Sequence, residues 1–85
     1  MNWKIYITVR AEKQIKKLPK PYIERIGIAI NAIESNPFIG DIEKLDGKEN
    51  IWRRRIGSYR IFYEINNSRK IVYVFSVKRR TSNTY

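Results

Sequence analysis

Arg53, Arg54 and Arg55 stand together on one short apolar-rich run, Arg60 follows just past a Gly57-Ser58 step, and Lys78-Arg79-Arg80 closes a third run shortly before Tyr85. Residues of this kind handle phosphate. The planar guanidinium fork grips two phosphate oxygens at once, and its flat face stacks on an unpaired base. Histidine and cysteine are both absent. The chain therefore has no imidazole base, thiolate nucleophile, thiolate metal site or disulfide, and any catalysis falls to Arg, Lys, Tyr, carboxylates or backbone groups.

The charge is segregated. Residues 1–50 carry nine lysines and arginines against seven acids, whereas residues 51–85 carry nine against a single acid, Glu64. A solubilising surface intersperses signs, while a concentrated positive field favours a polyanion, so nucleic acid is the expected partner. At 85 residues and 42% apolar content the chain is expected to be one small domain spanning residues 1–85. No apolar run reaches the length of a membrane span and the start lacks the apolar stretch of a signal peptide, which makes the cytoplasm the expected location, with no membrane partner.

The elements that must hold these cations follow from periodicity. Trp3, Ile5, Ile7 and Val9 alternate with polar neighbours as a strand with one buried face does. From about Arg10, the spacing of Ala11, Ile15 and Leu18 predicts a short helix that Pro19-Lys20-Pro21 ends. Pro21 suits the first turn of a second helix, whose stripe is Tyr22, Ile23, Ile26, Ala29, Ile30 and Ile33. Asn36-Pro37 stops it, and a long connection pinned by Phe38, Ile42 and Leu45 leads to three apolar runs, 51–56, 59–65 and 71–77. Gly57 at the first central position of a two-residue link predicts a type II′ hairpin turn. The order is β-α-α-β-β-β, an α+β fold with a helical hairpin on one face of a mostly antiparallel four-stranded sheet.

On run 51–56, alternation sends Arg53 and Arg55 to one face and Trp52, Arg54 and Ile56 to the other. If the helices cover Tyr59, Ile61, Tyr63 and Ile65, Arg60 shares the open face with Arg53 and Arg55. An antiparallel last strand brings Lys78 to Arg80 to the same end. Trp3, Trp52, Tyr59, Tyr63 and Tyr73 are expected to pack, leaving Tyr85 as the aromatic near the basic patch.

Three motifs carry a family likeness. They are A-E-K-Q-I-K-K-L at 11–18, K-L-D-G at 44–47 and, above all, W-R-R-R-I-G-S-Y-R-I-F-Y-E-I at 52–65. With the element order, the whole chain resembles the RelE/ParE superfamily of toxins from type II toxin–antitoxin pairs, in its RelE branch and archaeal members especially. The resemblance implies an mRNA interferase, a metal-independent endoribonuclease without a cofactor. It would act on mRNA in the ribosomal A site, touch rRNA there, and be neutralised by a cognate acidic antitoxin.

By the same resemblance Arg60, Arg80, Lys78 and Tyr85 take the catalytic positions, and Arg53, Arg55 and Arg79 bind RNA. Both Arg79 and Arg80 satisfy the spacing to Tyr85, with the distance from Val77 favouring Arg80. The implied reaction is transesterification by the RNA's own 2′-OH. Two alternatives stay open: a ParE-like gyrase poison that catalyses nothing, and a degenerate RelE-fold protein that binds without cutting.

Overall fold

A computed structural model describes residues 3–79 apart from 46 and 48. The expectations placed on Arg80 and Tyr85 lie outside the described residues. The elements are β1 (Lys4–Ile7), α1 (Val9–Lys16), α2 (Lys20–Ser35), β2 (Ile42–Lys44), β3 (Ile51–Ile56), β4 (Tyr59–Asn66) and β5 (Ile71–Arg79). They form one sheet in the order β1-β5-β4-β3-β2, with β1 parallel to β5 and every other pair antiparallel.

The sheet has five strands where four were expected. The additional strand, β2, lies inside the connection that was read as loop. It is a short edge strand that pairs the outer backbone groups of β3. Ile42, Glu43 and Lys44 pair with Arg54, Arg53 and Trp52, and the flanking bonds run from Arg55 N–H to Asp41 O and from Leu45 N–H to Ile51 O.

The first strand is also shorter than its alternation suggests. Thr8 sits at φ −68, ψ 159 and its hydroxyl accepts the Ala11 N–H at 3.1 Å, capping α1 so that Val9 is already helical. Val9 is consequently 68% exposed and Ile7 42%, while Trp3 and Ile5 pack on the core as the pattern implies.

Both helices cover one face of the sheet. Ala11 of α1 and Ile26, Ala29 and Ile33 of α2 meet Ile56, Ile61, Tyr63, Ile65, Val72, Val74 and Val77. Pro19 caps α2 through its backbone alone, and Pro21 falls in the first turn, where its missing N–H costs nothing. Gly57 has φ +57 and Ser58 is not among the positive-φ residues, as the expected turn requires.

The strand β5 carries one residue too many. Tyr63 pairs with Val74 but Phe62 pairs with Ser76, so Phe75 has no opposite number and forms a bulge. The bulge re-phases the strand, letting both Val74 and Val77 face the core. Helix α1 secures the edge beside it. The Thr8 N–H donates to Val74 O at 2.9 Å, and Gln14 Oε1 accepts the Val77 N–H at 2.7 Å where β1 has run out.

Tyr63 is fully buried and its hydroxyl donates to the Pro37 carbonyl at 3.1 Å, fastening the end of α2 to the central strand. Burial pushes its pKa up to about 12, with the positive Arg54 pulling the other way. A group whose folded pKa lies above its unfolded value stabilises the fold fully below the unfolded value and loses that contribution as pH rises. Stability should therefore fall between about pH 10 and 12. Tyr63→Phe should flatten that alkaline loss and lower stability near neutrality by about 1–3 kcal/mol, since the Pro37 carbonyl is left unpaired. Chemical denaturation across the alkaline range checks both.

Candidate nucleic-acid interface

The face away from the helices is open, and strand register lays its side chains out in three rows. Nearest the Gly57 turn, Arg55 stands opposite Arg60, which stands opposite Lys78. In the middle, Glu43 pairs with Arg53 and Arg53 with Phe62, beside the bulged Phe75. The third row runs Ile51, Glu64, Tyr73 and Tyr6 from β3 to β1. Arg53, Arg55, Arg60 and Lys78 thus meet on one face, as alternation and hairpin geometry imply.

The arginines of β3 are not bare. Both the Nε and Nη2 groups of Arg53 donate to Glu43 Oε1, the former at 3.1 Å. Arg55 Nε lies 3.6 Å from Asp41 Oδ2. Sequence reasoning missed these two acids because β2, which aligns them with β3, was read as loop. Asp41, Glu43, Arg53, Arg55 and Arg60 enclose a cleft of about 30 Å³, room for a water and not for a phosphate, so a bound phosphate would sit above it. Among the described residues no three His, Cys, Asp or Glu converge as metal ligands.

Lys78 is exposed, with its Nζ 5.9 Å from the centre of the Phe62 ring. Arg79 pairs with Tyr59, whose ring meets Tyr22 of α2 at 4.7 Å, and so belongs to the helix side at the end of the sheet. Of the two residues, register brings Lys78 beside Arg60. Tyr63 packs as expected and Tyr59 is half-buried, but Tyr73 does not belong to the core. Because Val72 and Val74 both point inward, the residue between them must point out, and Tyr73 stacks on Tyr6 with 5.7 Å between ring centres. Phe62, between buried Ile61 and Tyr63, is on the open face for the same reason.

Arg54 lies behind the sheet plane, as alternation places it. Its Nη1 donates to the Ile39 carbonyl at 2.7 Å, clamping the chain between α2 and β2. Gly40 makes the close approach possible: at φ +113 a side chain would be strained, and a Cβ there would lie 2.5 Å from Arg54 Nη1.

The fold and the face define a class before any comparison: a small two-layer α+β domain whose bare sheet surface is cationic at one end and aromatic toward the other. Residues 5–84 match the family described as the ParE toxin of the type II toxin–antitoxin system, parDE. The chain belongs to this family. It is 28% identical over 83 residues to "Putative toxin RelE1" of Methanocaldococcus jannaschii, covering 94% of this chain and 92% of that relative. Among solved structures, the archaeal RelE–RelB complex from Pyrococcus horikoshii OT3 superposes with a TM-score of 0.87 at 26% identity, over 98% of this chain and all of that one. The isolated E. coli RelE toxin gives 0.83 at 22% identity, over 95% and 87%, a likeness of fold. The protein is a RelE-like toxin of a toxin–antitoxin system.

Gly40→Ala should destabilise the protein by about 1–3 kcal/mol through backbone strain and displacement of Arg54. Thermal melts of Gly40→Ala, Arg54→Ala and the double variant should show strong non-additivity, because the two positions share one contact.

Proposed function

We propose that the protein is a metal-independent endoribonuclease that cuts mRNA in the ribosomal A site and is held inactive by a cognate antitoxin. The row Arg55–Arg60–Lys78 on the open face carries this reading, together with Arg53 one row away. Several fixed cations within reach of one another suit a phosphate whose charge increases during reaction.

In the proposed reaction the 2′-oxygen attacks the adjacent phosphorus as its proton leaves. The bond from phosphorus to the 5′-oxygen then breaks, and that oxygen takes up a proton, leaving a 2′,3′-cyclic phosphate and a 5′-OH. Arg60 and Arg80 stabilise the phosphorane, Arg53 and Arg55 hold neighbouring phosphates, and Lys78 and Tyr85 are the groups assigned to proton transfer; Arg79, expected to bind RNA, lies on the helix side and takes no part in this row. The roles of Arg80 and Tyr85 rest on the family likeness. Asp41 and Glu43 keep the β3 guanidiniums in position and compete with phosphate for them.

The antitoxin would be a small acidic chain that neutralises the cationic end and inserts apolar anchors. The archaeal and E. coli RelE toxins form complexes with RelB, which supports a partner of this kind. A groove of about 360 Å³ between α1 and α2, walled by Ile7, Ile15, Ile23, Ile26 and Ile30, offers such anchors room. The family description also keeps a gyrase-directed, ParE-like action in view. Mapping mRNA ends after induction decides: codon-phased cuts support the nuclease, and DNA damage without cuts supports the alternative.

Arg60→Ala should slow cleavage on programmed ribosomes on the order of a hundredfold or more while changing ribosome affinity far less. Arg54→Ala, on the opposite side of the sheet, should lower the melting temperature yet leave the rate per folded molecule near wild type. Equal damage from the two would sink the assignment.

Binding to single-stranded RNA should weaken with salt at a log–log slope of about −3, for roughly four neutralised phosphates. Glu43→Gln should tighten binding a few-fold at low salt by freeing Arg53. A flat salt response would remove phosphate contacts from the account.

A further inference from the structure

Beyond the cationic rows, the open face carries the aromatic rings of Tyr6, Tyr73, Phe62 and Phe75. Tyr6, at the parallel β1–β5 junction, is 46% exposed, and its ring lies nearly parallel to that of Tyr73, 17° between planes. Phe62 and Phe75 continue the surface toward Arg60, with ring centres 6.4 Å apart. Cations accompany the rings at both ends, Lys4 Nζ 5.7 Å from the centre of Tyr6 and Lys78 Nζ 5.9 Å from that of Phe62. The one acid of the row, Glu64, stands directly across from Tyr73.

We propose that Tyr73 and Tyr6 form a nucleobase-stacking subsite that holds an unpaired base beyond the cleavage row, with Glu64 accepting a hydrogen bond from an exocyclic amino group. This rests on the nuclease reading and extends it along the strand. From Arg60 to Glu64 is four residues of β4, about 13 Å, so an RNA gripped at Arg60 and Lys78 must run on across this face. Stacking on aromatic rings holds single strands without regard to sequence. Lys4 supplies the charge for the backbone on the far side. A carboxylate among the rings repels phosphate but pairs with the amino groups of cytosine or adenine, so it suits the base edge. The three rows then sort the RNA by chemistry, phosphate at one end and base at the other.

The test uses wild-type protein and 2′-O-methyl RNA, which lacks the attacking hydroxyl and stays intact. Tyr73→Ile, which keeps a strand-forming side chain, should weaken binding of an oligoadenylate hexanucleotide by about tenfold, within the range measured for lost base stacking. Binding of the trinucleotide should change by less than twofold. Tyr73→Phe should behave as wild type, and Tyr6→Thr, at a more exposed position, should repeat the loss. A hexanucleotide abasic at the end that reaches Tyr73 should bind wild type and Tyr73→Ile alike.

Loss of affinity on small ribosomal subunits without mRNA would assign the base to rRNA, and loss only with mRNA present to the message; either supports the subsite. Equal hexanucleotide binding by wild type and both variants overturns it while leaving the nuclease reading intact. So does a loss confined to purified cognate antitoxin, which would make the face a protein contact. If wild type binds no RNA even at low salt, the nuclease reading itself fails and the subsite with it.

Discussion

The hydrogen-bonded pairing of β4 with β5 is the constraint on which the rest depends, and its one irregularity matters most. Without Phe75 as an extra residue, strict alternation from Val72 and Val74 would turn Val77 toward solvent and Lys78 toward the helices. With it, Val77 closes the core against Ile61, and Lys78 comes level with Arg60 on the open side. A bulge bends and twists the strand that carries it and leaves backbone groups to be satisfied. Thr8, the N-cap of α1, and Gln14, in its last turn, provide that support. The first helix therefore helps fix the phase of the last strand.

Electrostatics follow from the same geometry. The cationic half of the chain is not free charge: β2 brings Asp41 and Glu43 alongside Arg55 and Arg53. These pairs are largely solvent-exposed and contribute little stability on their own. They restrict the guanidiniums and must give way before those groups meet an anion. Arg54, with the same chemistry and the adjacent position, does structural work because it faces the other way and finds a carbonyl at Ile39.

Much of this was legible in the sequence where one face of an element is buried. The helical stripes of Ala11–Ile15 and Ile26–Ala29–Ile33 and the division of Arg53 and Arg55 from Arg54 follow from a period applied to apolar residues, and the Gly57 turn from glycine's freedom at positive φ; Leu18 packs on the core from beyond the end of α1. Strand β2 was not legible: three residues with one apolar side chain hold no period, and only their pairing with β3 marks them as a strand. The acids at 41 and 43 became part of the site only through that pairing. Tyr73 was misread because strict alternation along 71–77 puts it in phase with Val77, and the bulge at Phe75, which the sequence does not announce, breaks that phase. Thr8 likewise ended β1 by capping, a local contact that overrode the apolar residues on either side.

The row of Arg55, Arg60 and Lys78 has a consequence for the fate of the molecule. Like charges directly opposite on neighbouring strands oppose the fold, an effect that Asp41, 3.6 Å from Arg55, offsets in part. A polyanion or acidic chain that binds the folded form more tightly than the unfolded one shifts the balance toward the fold by mass action. Occupancy and persistence are thereby linked. Tighter binding to the folded form lowers the population of opened, protease-sensitive molecules. A row of charge that favours an anionic ligand thus couples the stability of the fold to binding one.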